Sequence, residues 1–181
     1  MKKFCLIFLF LFLSLLFFSC IGDDYEDPPF YSSYEPILMK KSKLESSIYL
    51  AEARALKKTG KIYYKDGYIF ISEKYEGIHI INNKDPKNPR NVGFINIPGC
   101  LDMAIKQDTI TNENILYVDN ASDLVALKLS ADPKNFEVMK RVKDIIPELK
   151  PPDGQDLQDK FKASSRPSNT VIVNWREISN N

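Results

Sequence analysis

Residues 60–144 pass twice through one pattern, and that repetition restricts what the chain can fold into. Residues 60–99 read GKIYYKDGYIFISEKYEGIHIINNKDPKNPRNVGFINIPG, and residues 101–144 read LDMAIKQDTITNENILYVDNASDLVALKLSADPKNFEVMKRVKD. Four blocks recur in the same order. Ile62-Tyr63-Tyr64 matches Met103-Ala104-Ile105, and Tyr68-Ile69-Phe70-Ile71 matches Ile115-Leu116-Tyr117-Val118. Ile78-His79-Ile80-Ile81 matches Leu124-Val125-Ala126-Leu127, and Asp85-Pro86-Lys87-Asn88 matches Asp132-Pro133-Lys134-Asn135. The first pair is offset by 41 residues and the later ones by 46 or 47, so an insertion at residues 109–114 (TITNEN) separates two strand blocks. A hairpin loop lengthens there at little entropic cost.

Each block is a short β-branched and aromatic run bounded by Gly, Asn, Asp or Pro, the composition of a strand. Lys65-Asp66-Gly67 supplies an Asp-Gly hairpin turn. Asp85-Pro86 and Asn88-Pro89 exclude a helix and end the third strand. Four strands within 40–47 residues is the span of one propeller blade. The expected fold is therefore mainly β: two propeller-blade-like antiparallel sheets forming an incomplete propeller. A short helix precedes them and an irregular segment follows.

The blocks GIHIINNKDPKNP and DLVALKLSADPKN resemble LVIVD repeats, found in secreted bacterial proteins with β-propeller-like folds. The resemblance covers about half the chain. It implies an extracytoplasmic interaction module with no common chemistry, so it transfers no catalytic residues. The chain is shorter than the family pattern. After the polar, proline-containing residues 147–168, TVIVNW at residues 170–175 reads as one strand of a partial third unit (170–176). Two blades and a fragment leave open sheet edges. Three outcomes stay open: a two-sheet structure capped by its flanks, an oligomer, or the N-terminal piece of a longer propeller protein. Before the repeat, Ser42 and Glu45 have capping-box spacing, which predicts a helix over residues 42–48. Residues 50–58 suit a helix by composition, or a strand completing the first sheet.

The N-terminus carries a separate signal. Lys2 and Lys3 precede an uncharged apolar run of 15 residues (4–18), closed by Ser19-Cys20. That is the layout of a secretory signal, and the run is shorter than the roughly 20 residues of a spanning helix. Phe17-Phe18-Ser19-Cys20 resembles a lipobox, with Phe17 and Phe18 where many lipoboxes carry Leu and a small residue. Residues 1–19 read as a lipoprotein signal peptide, with Cys20 the lipid anchor. Residues 20–36 read as a flexible acidic tether, and residues 37–181 as the β-repeat domain. Asp23, Asp24, Glu26 and Asp27 resemble the stretch that sends some lipoproteins to the outer leaflet of the outer membrane. The expected location is thus a bacterial membrane reached through lipidated Cys20, the outer membrane first, with surface exposure.

Lys2 and Lys3 leave with the signal, so 23 of the 25 basic residues remain against 24 acidic ones. That balance gives no basic face for nucleic acid. Cys5 also leaves and Cys20 takes the lipid, so Cys100 stands alone and no intramolecular disulfide forms.

No catalytic constellation is visible. His79, the one histidine, alternates with Ile78 and Ile80 in a strand and reads as structural. A Cys100–His79 dyad is weaker than the reading of Cys100 as a small buried apolar residue. The oxygens of residues 119–123 (DNASD) fall short of the six to eight a calcium site needs, so a polar turn is expected and no metal. Asp153, Asp156 and Asp159 read as solvated surface. Of Tyr63, Tyr64, Tyr68, Phe70 and Tyr75, Tyr64 and Tyr75 are the candidates for an exposed stacking patch. The expected function is a membrane-anchored binding or scaffolding module, not an enzyme, with no cofactor. Its expected partners are the membrane, and a protein or a second copy at the open sheet edges. The alternative is an exported hydrolase or glycan-processing accessory enzyme.

Overall fold

A computed structural model of the chain describes residues 30–178. The expected signal peptide (residues 1–19), Cys20 and most of the expected acidic tether lie outside the described residues. Strand β1 (Tyr34–Lys40) and the one-turn helix α1 (Lys41–Glu45) lead into β2 (Tyr49–Ala51). The first repeat forms β3 (Thr59–Lys65), β4 (Tyr68–Glu73), β5 (Gly77–Asn82) and β6 (Arg90–Asn96). The second forms β7 (Met103–Gln107), β8 (Asn114–Asn120), β9 (Asp123–Leu129) and β10 (Phe136–Val142). Strand β11 (Thr170–Glu177) ends the described chain.

Each repeat is a four-stranded antiparallel meander, the architecture of a propeller blade. The first gains β2 beside β6, so the strand alternative for that flank is the one the chain adopts. β11 pairs with β1 in a two-stranded ribbon. At the first hairpin Asp66 and Gly67 have φ of 50° and 77°, the left-handed pair of a type I′ turn. The two Asp-Pro-Lys-Asn segments fold alike. Asp85 accepts from the Lys87 amide (3.1 Å) and Asp132 from the Lys134 amide (3.2 Å). The Asn88 and Asn135 amides close back on the Asp85 and Asp132 carbonyls at 3.0 and 2.9 Å. These are side-chain and main-chain turn closures superimposed, with proline at the position its fixed φ suits. Helix α1 spans one turn and its N-cap is Lys40 without a side-chain bond, so the Ser42–Glu45 capping box does not form.

The main core lies between the blades. Tyr68, Phe70, Ile78, Ile80 and Ile95 of the first sheet cluster with Met103, Leu116, Val118, Val125 and Leu127 of the second. The repeat alignment shows which faces meet. Phe70, Ile78 and Ile80 correspond to Tyr117, Leu124 and Ala126, which lie outside that cluster, whereas Leu116, Val118 and Leu127 correspond to Ile69, Ile71 and Ile81. One face of the first blade thus packs on the opposite face of the second. That is the relation between successive propeller blades and not that of a mirror-like sandwich. Exposed polar contacts also cross between the blades: Lys61 and Lys65 of β3 reach Asp102 (2.6 Å) and Gln107 (3.4 Å) at the two ends of β7, and Asn114 Nδ2 of β8 donates to Asp66 in the β3–β4 turn (2.6 Å).

The ribbon crosses one end of both blades. Tyr75, in the β4–β5 turn, packs with Ile172 and Trp175; Ala121, at the equivalent place between β8 and β9, packs with Val171 and Val173. Both turn residues adopt left-handed φ, 67° and 57°. Residues 31–33, from the composition-defined tether, are tied down. Tyr31 bridges to Asp156, and the Asp153 carboxylate accepts from the Ser32 hydroxyl (3.0 Å) and the Ser33 amide (2.9 Å).

Candidate functional site

His79 lies on the face of the first blade turned away from the second, and it is fully buried. Its Nδ1 is 3.4 Å from the Asn91 side-chain NH2, a donor, which leaves the ring proton on Nε2 for Glu73 Oε2 at 3.1 Å. Glu73 also accepts from the Lys57 amide at 2.9 Å and from the Lys58 amide. Asn91 donates to the Arg54 carbonyl (2.7 Å), while the Arg54 guanidinium stacks 3.6 Å over Phe94, whose ring meets His79 edge-on. Residues 52–58 are therefore strapped across one end of this face by a buried polar knot. Burial alone would raise the Glu73 carboxyl pKa; the Lys57 and Lys58 amides and His79 outweigh it and hold it below the ordinary value. Glu73 was missed in the sequence. Its signal is phase: Glu73 pairs with Gly77 across the hairpin, which puts it diagonal to His79 on the same face.

A hydrolytic centre would need some of His79, Cys100, Asp102 and Asp123 to converge. Each side chain is taken up in a structural contact. His79 engages Glu73, the Cys100 thiol points at the Asp102 carbonyl (3.7 Å), Asp102 pairs with Lys61, and Asp123 receives Arg141 Nη1 at 2.8 Å. Cys100 is fully buried, and burial together with Asp119 and Asp102 pushes its thiol well above the usual range. That disfavours the thiolate a nucleophile requires.

The DNASD turn is a buried polar knot and not a solvated loop. Asp119 accepts the Leu101 and Asp102 amides at 2.9 and 2.8 Å. Asn120 donates to the Pro98 carbonyl (2.7 Å), and its own oxygen takes Arg141 (2.8 Å). Asp123 accepts from the Asp144 amide at 3.0 Å. These oxygens face N–H donors, which is the wrong lining for a cation. Asp119 feels burial more than its hydrogen bonds, so its carboxyl is raised above the ordinary value. Tyr64 is exposed, but Tyr75 is half-buried under the ribbon and not free to stack on a ligand.

Two surfaces remain as candidates for binding. The first is a groove of about 390 Å³ between Tyr63 of the first blade and Ala104, Tyr117 and Leu124 on the outer face of the second, beside Ile146, with the Lys61–Asp102 ion pair at one wall. The second is the uncovered part of the first blade, where Ile62 and Tyr64 are 67% and 65% exposed beside half-buried Ile69 and Ile71. Among the described residues no helix is long and apolar enough to cross a membrane, and no cluster of three or more His, Cys, Asp or Glu side chains is arranged to hold a metal ion. No protein-family model matches the chain, and no curated protein or solved structure does either.

Proposed function

We propose that the chain is a bacterial lipoprotein held to a membrane by lipidated Cys20, and that its two-blade domain is an extracytoplasmic binding or scaffolding module. The observation that carries this reading is the N-terminal order of charge, apolar run and cysteine: Lys2-Lys3, fifteen uncharged residues, then Ser19-Cys20. Two or three acyl chains give firm anchoring, since each buried methylene contributes about 0.8 kcal/mol. The acidic stretch after Cys20 favours the outer membrane and its surface. The likeness of the repeats to LVIVD repeats points to the same class of function. Outward-facing apolar residues on both blades, with every candidate catalytic group engaged in a structural bond, favour binding over chemistry.

The test is the intact mass of the protein extracted from membranes, with Cys20→Ser as the comparison. The expected mass begins at Cys20 and carries a diacylglyceryl or triacyl addition, which the variant loses. A chain unmodified at Cys20 would overturn the anchor.

A further inference from the structure

The interface between the two blades is built from two different surfaces, and repetition gives each blade a copy of both. On the first blade Ile62, Tyr64, Ile69 and Ile71 occupy the positions of Met103, Ile105, Leu116 and Val118. Those four counterparts lie in or against the inter-blade core, with Met103, Leu116 and Val118 no more than 2% exposed. On the second blade Tyr117, Leu124 and Ala126 occupy the positions of Phe70, Ile78 and Ile80. Tyr117 is 37% exposed where Phe70 is 2%. The molecule therefore ends on one side with the surface that accepts a blade, and on the other with the surface that enters one.

We infer that a second copy of this chain covers these surfaces. The Tyr117–Leu124 face of one copy docks on the Ile62–Tyr64–Ile71 face of the next, repeating between chains the contact that joins the blades within one. The occupant is specified by an interface already present in the molecule, because the same two patterns of residues pack there. Residues 52–58 stay strapped over His79, so the incoming sheet takes the β3–β4 half of the face. That half carries the exposed side chains. The contact is head-to-tail, so it propagates until it closes. Each copy adds two blades, and closure at four to eight blades corresponds to roughly two to four copies. The association joins sheet faces, not the open edges, and does not depend on the lipid.

Native mass spectrometry of the full chain in mild detergent counts the copies. The wild type is expected as a discrete multimer at micromolar concentration. Ile62→Glu and Tyr117→Lys, both at exposed positions, each weaken association about a hundredfold by placing a charge in the contact, with circular dichroism unchanged. Mixed together, the two variants form a one-to-one dimer, because each retains the surface the other lacks. A wild type that stays monomeric, or a Tyr117→Lys variant that still dimerises alone, would overturn the inference.

Discussion

Glu73, beside His79, shows how a carboxylate is kept inside a sheet protein. Both are at most 1% exposed, and the carboxylate survives burial because two backbone amides and the imidazole N–H converge on it. Glu73→Gln leaves one oxygen for three donors, and thermal or urea unfolding should show a loss of about 2–4 kcal/mol. The depressed carboxyl pKa sets a sign. Its contribution is present above the unfolded-state value and is lost as pH falls through the folded one. The wild type should thus destabilise on acidification more steeply than Glu73→Gln. Asp119 works the other way: its raised value makes the folded state hold the proton more tightly, so stability falls as pH rises through its titration. Asp119→Asn keeps an oxygen for the Leu101 and Asp102 amides and removes the charge. It should match or exceed wild-type stability at pH 7, whereas Asp119→Ala loses about 1–3 kcal/mol. In the sequence, the alternation around His79 gave its face. Its partner was less legible, because Glu73 reads as the polar end of a strand until the hairpin register is known.

Turns carry the registration of the elements. Gly77 has φ of 145°, and a Cβ there would stand 2.0 Å from the Ile95 carbonyl oxygen and 2.9 Å from the Ile97 nitrogen. Both are backbone atoms of the neighbouring chain segment and have nowhere to move. Gly77→Ala should cost at least about 2 kcal/mol, measured by chemical denaturation, against about 1 kcal/mol for Gly67→Ala at the hairpin turn. The β-blocks, the Asp-Gly turn and the paired Asp-Pro-Lys-Asn turns could be read directly, because each depends on local φ preferences and period-two alternation. The flank at residues 42–58 was harder. Ser42–Glu45 has capping spacing, yet Ser47 donates instead to the Leu44 carbonyl (2.7 Å) and ends the helix after one turn. Residues with helical composition then run extended, because β2 pairs with β6 and Glu73 captures the Lys57 and Lys58 amides. Tertiary partners overrode propensity there. The pairing of β11 with β1 lies 130 residues or more apart in sequence and had no local signal at all.

At the scale of the whole molecule, the repeat specified two blades, and hydrophobic burial specified how they stack. Unequal burial of equivalent residues is the mark of that stacking: Leu116 is fully buried whereas Ile69 is half-buried, and Phe70 is buried whereas Tyr117 is exposed. The outward surfaces were not legible as binding faces, since the alternating pattern of a strand does not say which apolar side finds a partner. The Asp153–Ser32 staple was equally hidden, because a polar segment's acids look solvated until the segment they hold is placed. The two repeats are successive blades sharing one core. Hydrogen exchange read by mass spectrometry on Phe70→Ala tests it most directly, at an expected cost of about 3–5 kcal/mol. The packing predicts faster exchange in β8 and β9 as well as in β4 and β5, because the lost ring faces the second blade. Acceleration confined to β3–β6, with β8 and β9 as protected as in the wild type, would contradict a shared core.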